Sequence, residues 1–187
     1  MMMNNQKNDS YPEGAEINVK PVTWQDGKVM MYQCIITIPQ ETGNRLVTGE
    51  PCSSEDSALD SMARELYDRM MDTRTGLSAV RDYLNGETRL KGDNDSEEEE
   101  EDGEKWVKVS GKKCKKPRVE LRPEAWCDGI PTEYKAFVTV YRDAKTSRVY
   151  NGDACSTKEG ALIALKKELH TVNDTVCAAM KVLDNSF

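Results

Sequence analysis

The fold is decided by a strand that the chain writes twice, first as Tyr32-Gln-Cys-Ile-Ile-Thr-Ile38 and again as Tyr134-Lys-Ala-Phe-Val-Thr-Val140. Matching blocks lie on both sides of each strand: Trp24-Gln-Asp26-Gly27 returns as Trp126-Cys-Asp128-Gly129, and Gly49-Glu-Pro-Cys52-Ser53-Ser54-Glu55 returns as Gly152-Asp-Ala-Cys155-Ser156-Thr157-Lys158. The offset is 102 residues at the tryptophans and 103 from the glycines onward. Blocks in the same order at a nearly constant offset indicate two copies of one small module.

The repeated strand has two faces, because successive side chains of a strand point to opposite sides of the sheet. Tyr32, Cys34, Ile36 and Ile38 keep their apolar character in the second copy, which predicts that they form the core face. In the second copy the opposite face carries Lys135, Phe137, Thr139 and Tyr141, flanked on the next hairpin by Arg142, Lys145 and Arg148. That face is either a contact surface or an ordinary solvated sheet with cross-strand pairing.

Each copy is predicted to be a three-stranded antiparallel meander followed by a helix. In the first copy the strands cover 17–24, 31–38 and 45–48, with an Asp26-Gly27 hairpin turn. Ser53 or Ser54 caps the first helix, and Ser156 or Thr157 caps the second.

Apolar residues then recur every three or four positions, and they predict helices of up to about 27 residues. The two apolar ladders, Ala63 to Leu84 and Leu162 to Leu183, lie 99 residues apart, which predicts one extra turn in the first helix. Gly76 and Asn173-Asp174 are weak positions at which either helix could break.

A three-stranded sheet covers only the first half of such a helix, so the second half must bury its apolar stripe elsewhere. The equivalent helix of the other copy is the expected partner, within one chain or in a homodimer through the long helices. The sequence therefore predicts an α+β fold of two tandem βββα repeats with the helices packed together. The predicted organisation is a leader over 1–16, the first repeat over 17–91, an acidic then basic linker over 92–117, and the second repeat over 118–187.

Charge is distributed unevenly along the chain. Residues 11–92 carry 9 Lys/Arg against 13 Asp/Glu, residues 93–104 carry 9 acids and no base, and residues 105–187 carry 16 Lys/Arg against 10 Asp/Glu. Five consecutive glutamates predict a solvated linker. The basic run that follows could contact phosphates, could be a soluble linker that balances the acids, or could be a nuclear address.

The sequence lacks the features that several classes of function require. The start has no apolar run of the kind found in a signal peptide, and no stretch is long and apolar enough to span a membrane, so we expect a cytoplasmic protein, in its own cell or in a host cell, with no membrane partner. The six cysteines form no C-x-x-C pair, and His170 is the single histidine, so neither a metal site nor a cofactor is predicted. No acid pair, phosphate loop or nucleophile-and-base set occurs in both copies, which predicts that the protein is not an enzyme.

Two recurring residue types have structural interpretations as well as functional ones. Trp24 and Trp126 precede the turn in each copy, and we expect them to plug the end of the core rather than to stack on a ligand. Cys52 and Cys155 precede the helix caps, where a thiol can be activated. The first copy has no histidine that could act as a base for such a thiol, so we interpret both cysteines as small buried residues near the cap.

Part of the second copy resembles known nucleic-acid-binding domains. The segments Tyr134 to Asp143, Arg148 to Gly152 and Ser156 to Ala161 resemble the three-stranded sheet plus helix of plant ethylene-response factors and phage integrase arm-binding domains. That resemblance implies that the sheet enters a DNA groove with Lys135, Arg142 and Arg148 as contacts. The same segments are similar to the end of double-stranded-RNA-binding domains, which implies phosphate contacts at the helix start. Only Lys158 is basic there, and the first copy has Glu55 and Asp56.

Two hypotheses follow. In the first, the protein binds DNA or RNA without catalysis, through the sheet face of the second repeat and the adjacent basic run: Lys112, Lys113, Lys115, Lys116, Arg118, Lys135, Phe137, Tyr141, Arg142, Lys145 and Arg148. In the second, it is an interaction or inhibitor protein, for example one encoded by a phage or virus, whose acidic first repeat and linker engage a basic host protein.

Overall fold

The computed structural model describes residues 14–41, 43–86, 106–109, 112–143 and 145–185, and it shows an α+β chain with two three-stranded antiparallel sheets and two long helices. The elements are β1 (Glu16–Gln25), β2 (Lys28–Gln40), β3 (Gly43–Thr48), α1 (Glu55–Leu84), β4 (Trp106–Val109), β5 (Lys112–Lys115), β6 (Arg118–Cys127), β7 (Ile130–Tyr141), β8 (Ser147–Asn151) and α2 (Lys158–Asp184).

The two larger sheets have the same local construction. Their strand orders are β1-β2-β3 and β6-β7-β8, and both first hairpins turn through an Asp-Gly pair with positive φ at both residues. This geometry matches the twist of a two-residue hairpin and favours glycine at the second position. Register shifts follow Pro21 in one hairpin and Pro123 in the other, where proline has no N–H for the ladder.

The core face of the central strands is as the sequence predicted. Cys34 and Ile36 in β2 and Ala136 and Val138 in β7 are fully buried. A short antiparallel bridge then ties the chain before each helix back to the central strand, between Cys52 and Tyr32 in one case and between Cys155 and Tyr134 in the other.

Both helices begin at one of the predicted caps. The backbone N–H of Ser57 donates to Ser54 Oγ at 3.2 Å, and the N–H of Gly160 donates to Thr157 Oγ1 at 3.0 Å. These hydroxyls satisfy donors that the first helical turn leaves unpaired. Neither helix breaks: α1 runs for 30 residues and α2 for 27.

The predicted extra turn within α1 is wrong. The helices start 103 residues apart, and the buried positions keep that offset, as Leu66 with Leu169 and Val80 with Leu183. Because an α-helix repeats every 3.6 residues, sliding one ladder by four positions preserves the apolar stripe and conceals the true correspondence. The additional length of α1 lies at its C-terminal end.

Residues of both repeats make up each of the chain's two compact units. The first unit holds β1 to β3, α1 as far as Met70 and α2 from Asp174; the second holds β4 to β8, α1 from Met71 and α2 as far as Asn173. In the second unit Val80 of α1 joins the same core as Val138, Leu165 and Leu169. The apolar stripe in the second half of α1 is therefore buried against the second repeat.

Two glycine positions allow backbone to approach helix closely. A Cβ placed on Gly152 would lie 2.3 Å from the backbone N of Leu165, and one on the equivalent Gly49 would lie 3.3 Å from the backbone of Met62. Gly76, which the sequence marks as a weak helical position, faces Leu169 and Val138 at 3.3 and 3.4 Å from a Cβ position. It serves close packing in the second unit.

Part of the predicted linker is paired. Strands β4 and β5 form a two-stranded antiparallel hairpin, with Trp106 opposite Lys115 and Val109 opposite Lys112. The acidic run at 93–104 lies outside the described residues, as does most of the predicted leader.

Candidate nucleic-acid interface

The outward side of the β6-β7-β8 sheet combines cations with an aromatic ring. We call it the cationic face and define it by Arg118, Glu120 and Arg122 of β6 and Lys135, Phe137, Thr139 and Tyr141 of β7. The register places Arg122 opposite Lys135, Glu120 opposite Phe137 and Arg118 opposite Thr139. Since residues directly opposite one another share a face of the sheet, these side chains form one surface.

Phe137 lies at the centre of this face with cations against its ring. The guanidinium carbon of Arg122 is 4.7 Å from the ring centroid, and the ammonium of Lys135 is 6.0 Å from it. Both distances are within the range of cation–π attraction, which is strongest when the ion has lost water. The half-buried Phe137 ring thus has two cationic groups beside it.

Glu120 holds the two arginines of β6 in place. Its carboxylate accepts from Arg122 at 2.6 Å and lies 2.8 Å from Arg118 Nε. The glutamate is less exposed than either arginine, at 23% against 61% and 66%. Among the residues that define this face, three cations accompany one carboxylate.

The first sheet lacks this chemistry at the corresponding positions. Glu16, Asn18 and Lys20 of β1 stand where β6 has Arg118, Glu120 and Arg122, while Gln33 and Ile35 of β2 stand for Lys135 and Phe137. One lysine and one glutamate cancel, and no aromatic ring is present among these five residues. The two sheets therefore differ on their outer faces, although their core faces agree.

Arg142 and Arg148, which the sequence predicts to flank the cationic face as contacts, lie on the other side of the sheet. Both bind Asp72 of α1: Arg142 through Nε at 2.9 Å and Arg148 through Nη1 at 3.3 Å. The Asp72 side chain is only 7% exposed. Arg142 continues the inward parity of Val140, and Arg148 is paired with Val140, so both reach the helix side of the sheet.

Asp72 and its two arginines form an ionic cluster in the second unit, and the first unit has an uncharged pair in the corresponding place. Gln40 Nε2 donates to Thr175 Oγ1 at 3.0 Å, and these residues occupy the positions of Arg142 and Asp72 in the other repeat. The end of the central strand thus bonds to the helix of the other repeat in both units.

The remaining predicted contacts are spread around the second repeat. Tyr141 is half-buried at the end of β7, and Lys145 is exposed in the β7–β8 turn, where its N–H donates to Asp143 Oδ1 at 2.7 Å. Lys116 is exposed and Lys115 half-buried just before β6. The backbones of Lys112 and Lys113 lie in β5.

The expectation that Trp24 and Trp126 plug the core is wrong, because they are 60% and 59% exposed. Each lies near a hairpin turn, opposite Val29 in one sheet and Pro131 in the other. In each repeat the helix begins shortly after the cysteine that is bridged to Tyr32 or Tyr134. The end of the first hairpin lies beyond this point, where the helix does not cover the sheet. Exposed Val22 and Met30 accompany Trp24, and exposed Ile130 accompanies Trp126.

Cys34 is the fully buried thiol among the described cysteines. Burial raises the pKa of the Cys34 thiol to about 11, which suppresses the reactive thiolate. His170 is exposed on α2. Within the described ranges no three His, Cys, Asp or Glu residues are grouped as metal ligands.

No protein-family model matches the chain, and no curated protein matches it. Among the described helices, none is both long and apolar enough to cross a membrane.

Proposed function

We propose that this protein is a non-enzymatic nucleic-acid-binding protein that uses the cationic face and the basic run before it. The observation that carries the proposal is the Phe137 ring with Arg122 at 4.7 Å and Lys135 at 6.0 Å. Arginine and lysine neutralise phosphates, and an aromatic ring on an open sheet face offers a surface for bases. At the matching positions the first sheet has no aromatic ring and no net positive charge, so the fold does not require these features.

The proposal includes a tandem duplication. Matching bulges after Pro21 and Pro123, matching bridges at Cys52 and Cys155, and a constant helix offset support two copies of one βββα module. In this interpretation the repeats span 17–91 and 118–187. The close approach of Gly76 to Leu169 supports packing of the two helices on each other in the second unit.

A salt titration tests the proposal. Fluorescence anisotropy with labelled 20-nucleotide DNA and RNA, single-stranded and duplex, should show binding at low salt that weakens steeply as salt rises. Lys135→Glu should weaken binding roughly tenfold or more and lower the salt slope by about 1. Lys167→Glu, at an exposed lysine of α2 in the same unit, makes the same charge change away from the face and should leave binding within about twofold. No binding to any of these probes at low salt would contradict the proposal.

Arg148 is unsuitable for such a charge reversal. Its guanidinium binds the buried carboxylate of Asp72 at 3.3 Å, so a glutamate there would place two carboxylates together. A loss of binding would then report a loss of folding.

A second candidate function is protein interaction, favoured by the exposed tryptophans at the two hairpin ends. Tryptophan is enriched at the energetic centres of protein interfaces. A basic host protein that engages the acidic first repeat, or a second copy of this chain, would fit this candidate. Sedimentation of the wild type and of a Trp24→Ala, Trp126→Ala double variant tests the second copy: a dimer that the double variant loses supports it, and a wild-type monomer at high concentration contradicts it.

The proposed compartment is the cytoplasm of the protein's own cell or of a host cell. The thiols of Cys34, Cys52 and Cys155 support it, because thiols persist in a reducing compartment.

A further inference from the structure

We infer that the ligand of the cationic face is single-stranded nucleic acid, laid along β7 with a base stacked at Phe137 and with phosphates against β6. The inference rests on the proposed function and deepens it by naming the form of nucleic acid. Four observations support it.

The outward positions of β7 after Lys135 carry two aromatic rings and no arginine, asparagine or glutamine. Beyond Lys135 the outward positions of β7 are Phe137, Thr139 and Tyr141. Reading a duplex in the major groove depends on side chains such as arginine, asparagine and glutamine that bond to base edges. Aromatic rings instead stack on the faces of unpaired bases, with little dependence on sequence.

The cations lie in a row beside the aromatic residues. Arg118 and Arg122 of β6 are four residues apart, about 13 Å along the strand, and Phe137 and Tyr141 of β7 have the same separation. Neighbouring strands lie about 5 Å apart. A strand of nucleic acid that follows β7 can therefore place bases on the aromatic row while its phosphates follow the arginine row.

Arg122 contributes to both interactions. Its guanidinium carbon already lies over the Phe137 ring, 4.7 Å from the centroid, and Glu120 accepts from the guanidinium at 2.6 Å. A guanidinium plane stacks on nucleobases as well as on phenylalanine. A base that joins this pair extends an existing stack, and the arginine loses little freedom on binding because Glu120 has already oriented it.

Glu120 argues against close approach of many phosphates at the middle of the face. It lies directly opposite Phe137, where a carboxylate would repel a phosphate. The base, which carries no formal charge, fits that position, while the phosphates fit the arginines at the rim.

Oligonucleotide binding tests the inference with pairs of variants. Binding of a single-stranded 12-mer should fall about tenfold in Phe137→Leu, which keeps an apolar side chain but removes the π face. The first repeat supplies matched controls, because Ile35 and Lys20 occupy the positions of Phe137 and Arg122. Ile35→Leu and Lys20→Gln should leave binding within about twofold, whereas Arg122→Gln should weaken it.

An abasic 12-mer separates bases from phosphates. It should bind the wild type about as weakly as the normal 12-mer binds Phe137→Leu, and Phe137→Leu should lose little further affinity for it. Duplex DNA or duplex RNA of the same length that binds as tightly as the single strand, with no effect of Phe137→Leu, would overturn this inference and leave the proposed function standing. Absence of binding to all probes overturns both. Circular dichroism of each variant confirms that it is folded.

Discussion

The approach of the chain after β8 to helix α2 depends on the absence of one methyl group. A Cβ on Gly152 would stand 2.3 Å from the N of Leu165 and 2.5 Å from the carbonyl carbon of Ala164, both backbone atoms. Backbone cannot rotate away as a flexible side chain can, so the helix must shift. We expect Gly152→Ala to lower the free energy of unfolding by about 3 kcal/mol, measured by urea denaturation followed by circular dichroism.

The equivalent glycine of the first repeat is the control for that prediction. A Cβ on Gly49 meets Met62 at 3.3 Å, a contact that a displacement of a few tenths of an ångström relieves. Gly49→Ala should cost about 1 kcal/mol or less. Equal losses in the two variants would contradict the difference in packing between the repeats.

Single residues also show where sequence reasoning reaches its limit. The alternation of β2 and β7 correctly separates core residues such as Ile36 and Val138 from outward residues such as Phe137. The same alternation places Arg142 inward, in line with Val140, and that signal was available in the sequence. The partner was not, because Asp72 is 70 residues away and no local pattern joins it to β7.

At the scale of the element, the ionic cluster on α1 fixes the end of the β7–β8 hairpin. Asp72 accepts from two arginines whose side chains are 26% exposed. Replacing one partner of a buried ion pair leaves the other charge without compensation, which is more costly than never having the pair. Asp72→Ala should therefore lower the free energy of unfolding by about 3 kcal/mol, measured by thermal and urea denaturation.

The neutral pair in the other unit gives the matched comparison. Thr175→Val removes one hydrogen bond from Gln40 and leaves no charge unpaired, so about 1 kcal/mol is expected. A double-mutant cycle between Asp72→Ala and Arg142→Gln isolates the pair. A coupling energy near zero would show that the cluster does not stabilise the hairpin.

The sequence predicts both helices and the buried stripe of α2. In α1 the first and last residues of the predicted ladder, Ala63 and Leu84, are exposed, and the residue-by-residue alignment of the two helices was predicted wrongly. The stripe from Leu162 to Leu183 is buried apart from the half-buried Val172, because a 3.6-residue period is a strong signal. An offset of 99 and an offset of 103 differ by about one turn and give nearly the same stripe. The caps at Ser54 and Thr157 fix the true alignment through their hydrogen bonds.

At the scale of the whole molecule, each compact unit combines segments from both halves of the chain, and this has consequences for folding. The first unit takes its last helical segment from the second repeat, and the second unit takes residues from Met71 onward from the first. The sequence predicted that each helix is too long for its own sheet, and this holds because a short sheet cannot cover 27 to 30 helical residues. Only the structure shows which helical segment joins each sheet in its unit.

Neither repeat should therefore fold alone. In a fragment of residues 1–91, Val80, which belongs to the core of the second unit, would be exposed, and the first unit would lack α2 from Asp174 onward. In a fragment of residues 106–187, the core around Val138 and Leu169 would lose Val80, and Arg142 and Arg148 would lose Asp72. We expect each fragment to show weak tertiary signals and no cooperative unfolding transition, because modules of roughly 80 residues bury only a modest core.

Mixing the two fragments should restore a 1:1 complex with a cooperative transition, observed by size-exclusion chromatography and near-ultraviolet circular dichroism. Asp72→Ala in the first fragment should weaken that complex by roughly 100-fold if the cost of about 3 kcal/mol is expressed in association, while Lys20→Gln should not change it. A fragment of residues 1–91 that folds cooperatively by itself would show that the shared helices are dispensable for the first sheet.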